Sequence, residues 1–250
     1  MTRPNIVYIV CDDLGYADLG CYGGREAGFG RVSPHIDALA AGGLKFTEGY
    51  SNSPVCSPTR FALMTMRYQY RLRGAAEEPI NSKARHSQTL GLPPEQPTLP
   101  SLLRASGYRT ALIGKWHLGY LAQHSPTQNG FDFFFGLRGA AADYRSHRGV
   151  RAFVAGPPDL YENDQPVQSE AYLTDLFTHK AVDFLKQKHR KPFFLALTYN
   201  APHWPWQGPT DEPYPESVRF VDGGSPAVYA AMMKSLDDGI GRVMKTLDEQ

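Results

Sequence analysis

Four short stretches of this 250-residue chain carry side chains able to do polar chemistry. Asp12-Asp13 closes an apolar run that starts at Ile6. Adjacent carboxylates repel each other unless a cation lies between them, and a hard divalent cation takes several oxygen ligands of this kind. The same dipeptide also suits a turn or a helix cap, where Asp is favoured. Cys56-Ser57-Pro58-Thr59-Arg60 puts a thiol and a guanidinium four residues apart, on one face of a helix entered through proline. A helix N-terminus favours a negative centre. The pair therefore reads as a Cys nucleophile with an Arg anion binder, or as a structural Cys beside a surface Arg. In Gly114-Lys115-Trp116-His117-Leu118-Gly119, extended backbone would point Lys115 and His117 the same way and turn Trp116 into packing. Lys supplies a point charge for an oxyanion, and His a hydrogen bond or a proton near neutral pH; the alternative is a solvated turn. Pro202-His203-Trp204-Pro205 holds a further His in a proline-stiffened loop, as a reacting group or as a structural imidazole under an aromatic lid.

The elements that must position these groups follow from the apolar pattern. Ile6 to Val10 is β-branched or aromatic at almost every place, the profile of a central strand with polar residues at its carboxyl end. A glycine-rich loop, 19–31, leads to Ser33-Pro34, which predicts a Ser-capped helix stopped by Gly42-Gly43. Leu44 to Tyr50 predicts a second strand, Cys56 to Met66 a short helix, and 74–97 a surface loop. Leu99, Leu102 and Leu103 mark a helix, Tyr108 to Ile113 a strand, and 173–185 an amphipathic helix closed by Pro192. Phe193 to Tyr199 is a further strand, and Tyr229 to Leu247 a final helix. Strands alternating with helices predict an α/β domain with a largely parallel sheet. Ligands in such sheets sit at the carboxyl ends of the strands, where three of these four strands carry charged or imidazole side chains.

Composition bounds the rest. A hydrophobic fraction of 42% and a charged fraction of 20% fit a folded domain with a core. A net charge of +1 gives no electrostatic case for nucleic acid or for an acidic membrane surface. Three cysteines, Cys11, Cys21 and Cys56, give no disulfide framework, and no apolar run approaches the ~20 residues of a membrane span. The start of the sequence does not read as a leader. Cytoplasm is thus the default expectation, with periplasm or secretion where a leader precedes it. Trp204, Trp206, Tyr144 and Arg145 either line the mouth of a pocket suited to an aryl or sugar ring or serve as packing and surface residues.

Taken in order, Pro4 to Tyr16, Cys56 to Arg60, Gly114 to Gly119 and Pro202-His203 resemble type I sulfatases of the alkaline phosphatase superfamily. Ser33 to Asp37 with Leu39, and Gly130-Phe131-Asp132 with Phe134-Phe135-Gly136, resemble that family too. The resemblance implies an alkaline-phosphatase-like three-layer sandwich, with residues 1–250 as an N-terminal sulfatase catalytic domain that lacks the C-terminal part. It implies hydrolysis of a small-molecule or carbohydrate sulfate ester. In the family a maturation enzyme oxidises the cysteine, here Cys56, to formylglycine (3-oxoalanine), whose hydrate is the nucleophile. Asp12, Asp13 and residue 56 would be ligands to a divalent metal, usually calcium and sometimes magnesium. Arg60 and Lys115 would stabilise added charge. His117 would hold or deprotonate the hydrate, and His203 would protonate the leaving oxygen or bind sulfate.

The sequence departs from the family pattern in two places. The turn that usually reads Thr-Gly-Arg is Thr65-Met66-Arg67, with a side chain where glycine is usual. The family strand ending in Asp-Asn, which completes the metal site, and a sulfate-contacting Lys beyond it have no match, so weak metal binding and low activity are expected. Phosphate or phosphonate ester hydrolysis is the alternative within the superfamily. A non-catalytic protein that binds sulfated ligands or a partner is the alternative outside it.

Overall fold

A computed structural model describes residues 3–24, 30–71, 80–151, 154–215, 219 and 223–250. The strands are β1 (Ile6–Asp12), β2 (Arg109–Lys115), β3 (Phe133–Leu137), β4 (Arg148–Arg151), β5 (Val154–Pro158), β6 (Leu160–Glu162), β7 (Gln165–Pro166) and β8 (Phe193–Pro202). The α-helices are α1 (Pro34–Gly42), α2 (Cys56–Thr65), α3 (Leu99–Ala105), α4 (Leu173–Leu185) and α5 (Pro226–Asp248). Among the described residues one sheet runs β1-β8-β2-β3-β6-β7, and β4 pairs with β5 apart from it. β1, β8, β2 and β3 are parallel neighbours; β6 and β7 add to the β3 edge antiparallel.

β8 lies between β1 and β2, and all ten of its residues are buried. Both faces must then be apolar, and the side chains sort by parity. Phe194, Ala196 and Leu112 enter a core with Phe61 and Met64 of α2. Leu195, Leu197, Ala111 and Ile113 enter the opposite core with Phe177 and Ala181 of α4 and Leu236 and Ile240 of α5. Helices thus cover both faces of a largely parallel sheet, the three-layer class that the alternating pattern predicts.

Three local expectations fail for tertiary reasons. The described part of the expected surface loop at 74–97 instead buries Ile80, Ala84 and Leu92 in the core that holds Phe61. Leu44 to Tyr50 is not a strand: Leu44, Phe46 and Tyr50 are 88%, 73% and 84% exposed, and the segment runs in bends. A strand needs a partner edge, and here the backbone is tied instead by Lys45 Nζ to Cys21 O and Tyr22 Oη to Phe46 O, each at 2.8 Å. Ser33 precedes α1 as expected, but its hydroxyl accepts from Gly20 N at 2.9 Å rather than from the helix. The first turn is capped from α5, where the Asp237 carboxylate accepts from His35 N at 3.0 Å and Ile36 N at 2.9 Å. Parts of the two expected loops, 25–29 and 74–79, lie outside the described residues. No helix among the described residues is long and apolar enough to cross a membrane.

Candidate active site

The chain turns sharply at the carboxyl ends of three neighbouring strands. β1 loses register with β8 between Cys11 and Asp12, and Asp13 adopts a left-handed φ of 61°. β2 reaches Lys115 through Gly114, φ 124°, where a Cβ would lie 2.0 Å from Thr198 O on β8. Only glycine permits that approach. α2 brings in Cys56 at its first turn and Arg60 one turn later. It is anchored by Phe61 in the core and by Ser57 Oγ, which accepts from Ile80 N at 2.8 Å. α2 ends on Met66 at φ 57°, so the glycine-like conformation is kept at a residue with a side chain.

Five of the sequence-predicted groups converge. Lys115, fully buried, donates to Asp12 Oδ2. Arg60 donates to Lys115 O at 2.5 Å through Nη1, and its Nη2 sits 3.5 Å from Asp12 Oδ2. That Nη2 is buried and makes no hydrogen bond, a donor free to meet an oxyanion. Ligand-type atoms of Asp12, Cys56 and His203 all lie within 4.8 Å of one another. His203 Nε2 is 3.6 Å from Asp13 Oδ2, which places the second carboxylate beside the cluster rather than in it.

The electrostatics follow from these contacts. Burial raises the Asp12 carboxyl, but Lys115 and Arg60 outweigh it and hold the group well below the usual carboxylate range. Asp13 is pushed up, first by burial and then by the negative charge of Asp12. Burial, followed by the charge of Lys115, pulls His203 down to about 4, so its imidazole is neutral at neutral pH. Its Nδ1 faces Trp204 O and carries the proton. Nε2 is then a lone pair facing a carboxylate, an arrangement relieved by a proton or a cation. Cys56 is pushed up, chiefly by burial with Lys115 opposing. A thiol in this setting is a poor nucleophile at neutral pH.

His117 behaves differently. It is buried at φ 55°, its Nε2 meets Ile80 O, and no hydrogen bond joins it to Cys56 among the described residues. Burial and then Lys115 drive its pKa well down, and its Nδ1 has no partner. Trp116 turns away as expected, fully buried and donating to His124 O at 2.8 Å.

A buried network that sequence reasoning missed holds the His203 loop. Tyr144 Oη donates toward His203 O at 2.8 Å and Asn200 O at 3.1 Å. Gln207 Oε1 accepts from Tyr144 N at 2.7 Å, and Gln207 Nε2 donates to Asp143 Oδ2 at 3.2 Å. Asp143 Oδ1 accepts from Arg145 N and Ser146 N at 2.8 and 2.6 Å. Nothing local in the sequence marks this set, because its members lie 63 and 64 positions apart. The four candidate pocket residues part ways here. Tyr144 is core, and Arg145 lies over the Tyr172 ring. Trp204 packs on the His203 ring, and Trp206 stays partly open.

The donor set fits a divalent cation. Asp12, residue 56 and His203 offer converging ligand atoms, Asp13 stands beside them, and the crowding of two carboxylates is what such an ion relieves.

This arrangement defines a class: a three-layer α/β fold with carboxylate, cationic and imidazole side chains gathered at the carboxyl edge of a parallel sheet. The Sulfatase family model matches residues 4–250, and the chain belongs to the sulfatase family. It is 32% identical to N-acetylgalactosamine-6-sulfatase of Homo sapiens over 98% of this chain and 47% of that protein. It is 40% identical to steryl-sulfatase of Mus musculus over 98% of this chain and 48% of that protein. The crystal structure of Ps i-CgsB in complex with k-i-k-neocarrahexaose superposes with a TM-score of 0.81 at 31% identity, covering 99% of this chain and 55% of that one. The chain thus spans about half the length of the curated relatives it matches.

Proposed function

We propose that this site hydrolyses sulfate esters, with residue 56 as nucleophile after conversion of Cys56 to formylglycine and with a divalent metal, calcium in the usual family pattern. The observation that carries the reading is the meeting of Asp12, Cys56, Arg60, Lys115 and His203, from four separate segments, in one buried cluster. Burial raises the Cys56 thiol and keeps it protonated, which disfavours the unmodified residue as nucleophile. Formylglycine at residue 56, as its hydrate, would supply a geminal diol, a nucleophilic hydroxyl beside a second one that can be deprotonated. A divalent cation held by Asp12, Asp13 and residue 56 would supply Lewis acidity.

The remaining work falls to this chain's own side chains. Arg60 Nη2 meets an equatorial sulfate oxygen, and Lys115 adds positive charge behind it. Neutral His117 offers Nδ1 as a proton acceptor. His203 Nε2 gains basicity when an anionic substrate offsets the charge of Lys115, and it then carries a proton to the leaving oxygen. N-acetylgalactosamine-6-sulfatase and the neocarrahexaose complex favour a carbohydrate sulfate as the substrate class, whereas steryl-sulfatase would favour a sterol sulfate.

Co-expression with a formylglycine-generating enzyme, followed by intact mass of the Cys56 peptide, tests this reading. A loss of about 18 Da is expected for replacement of CH2–SH by CHO, with turnover of an aryl sulfate exceeding that of the matched aryl phosphate. An intact thiol under those conditions overturns it, and faster phosphate turnover would move the reading to a phosphate ester hydrolase. Calcium prefers six or more oxygens, so three converging donors bind it weakly. Calorimetric titration should show affinity no tighter than about 0.1 mM, and turnover by this chain should be slow.

A further inference from the structure

The two imidazoles at the strand ends are oriented by different means. His203 turns Nδ1 to the carbonyl of its own neighbour, Trp204. His117 turns Nε2 to Ile80 O, 37 positions away. The setting of His117 therefore depends on where the fold holds residue 80.

Ile80 is held on three sides. Its side chain is buried in one core with Phe61 and Leu92. Its N–H donates to Ser57 Oγ at 2.8 Å, and its carbonyl faces His117. Ser57 is fully buried on the first turn of α2, next to Cys56. Successive residues of a helix point about 100° apart, so one turn presents residue 56 to the reactive cluster and Ser57 to Ile80. The same 80–92 segment grips the His117 turn again further on, where Leu92 N donates to Leu118 O at 2.7 Å. His117 needs such holding, because its φ of 55° is a backbone conformation that residues with a side chain disfavour.

The partner decides which ring nitrogen carries hydrogen. A carbonyl oxygen only accepts, so Nε2 is the donor. Burial, and then the charge of Lys115, keep the ring from taking a second proton. Nδ1 is left as a lone pair, buried and without a hydrogen-bond partner among the described residues. We propose that Ser57 is a positioning residue: by fixing the Ile80 backbone it locks His117 in the Nε2–H tautomer and keeps Nδ1 a proton acceptor. The proposal rests on the sulfate-ester reading for the use of that acceptor, and on the Ser57–Ile80–His117 contacts alone for the tautomer. One helical turn then sets both the nucleophile position and the state of the base, and the two move together.

Two-bond proton–nitrogen correlation spectra of the whole chain separate a protonated from an unprotonated ring nitrogen, and they need neither formylglycine nor metal. The His117 signals are those lost in His117→Gln. A single Nε2–H tautomer is expected at neutral pH. Ser57→Ala removes the acceptor of the Ile80 N–H. It should mix the two tautomers and speed exchange of the Ile80 amide about three- to tenfold, the scale of one hydrogen bond. Ser57→Thr keeps the hydroxyl and should keep the native tautomer, with unchanged circular dichroism in both variants. If Ser57→Ala does not fold, Ser57→Cys, whose sulfur is a weaker acceptor, takes its place with the same expectations. An Nδ1–H tautomer in the native chain, His117 nitrogens unshifted on loss of the hydroxyl, or equal disturbance by Ser57→Thr would each overturn the proposal. Failure of the sulfatase reading shows separately, as an intact Cys56 thiol in the mass measurement.

Discussion

Asp12 and Asp159 are both buried carboxylates, and the regions around them act in opposite directions. Burial is the largest single influence on each and raises both. At the end of β1, Lys115 and Arg60 overcome it and keep Asp12 ionised. On the link between β5 and β6, Asp159 is pushed up to about 6, and Arg85, Gly139 N and Arg138 offset only part of the burial. Gly139 N donates to Asp159 Oδ2 at 2.8 Å, whereas Asp12 receives an ammonium directly. Depth by itself therefore does not build a reactive centre. Direct contact with buried cations does, and the fold provides it where β1, β8 and β2 end side by side.

The strongest way to break this comparison is Lys115→Ala. It leaves Asp12 buried with Arg60 Nη2 at 3.5 Å as the remaining cation contact. Loss of one partner from a buried pair costs roughly 3–5 kcal/mol, and urea denaturation at neutral pH should show it. A loss below about 1 kcal/mol would mean that Asp12 is not held by Lys115. Because the folded pKa of Asp12 is depressed, its stabilisation is present above about pH 4 and is lost as pH falls below it.

Asp159→Asn probes the other member and carries the opposite sign. The folded pKa of Asp159 lies above its unfolded value, so ionisation costs nothing below about pH 4 and progressively more as pH rises through about 6. The full cost is roughly 3 kcal/mol. Denaturation midpoints measured between pH 4 and 7 should shift in favour of the variant by about that amount as pH rises. A pH-independent difference would show that Asp159 is not the group responsible.

Tyr144→Phe should have the smallest effect, because the support it removes is neutral. The carbonyls of His203 and Asn200 would lose a buried donor, at roughly 1–2 kcal/mol, with the chain still folded. A neutral outcome would mean that the His203 loop is held by Gln207 and Asp143 without the hydroxyl.

The legible part of the site lay in residue types at strand ends. Lys115 and Asp12 could be nominated because each follows a strand whose apolar run is visible locally, and Cys56 and Arg60 because four residues make one helical turn. His117 was nominated on the same grounds, yet its left-handed backbone turns Nε2 to Ile80 O, and no alternation rule anticipates a positive φ. The expected strand at 44–50 had suitable residues and found no partner edge. Trp204, Trp206 and Tyr144 were equivalent in sequence and became a ring against His203, an open cavity wall and a core hydrogen-bond donor.

The amino-acid order by itself determined which segments are strands or helices and placed polar groups at their ends, because apolar period and proline or glycine punctuation act over a few residues. Only the tertiary structure decided that Asp12 meets Lys115 103 positions away, that Asp237 caps a helix some 200 positions earlier, and that Asp143 and Gln207 brace the His203 loop. Those partnerships depend on the lateral order β1-β8-β2. That order is set by burying β8 on both faces, a constraint no local window of sequence contains.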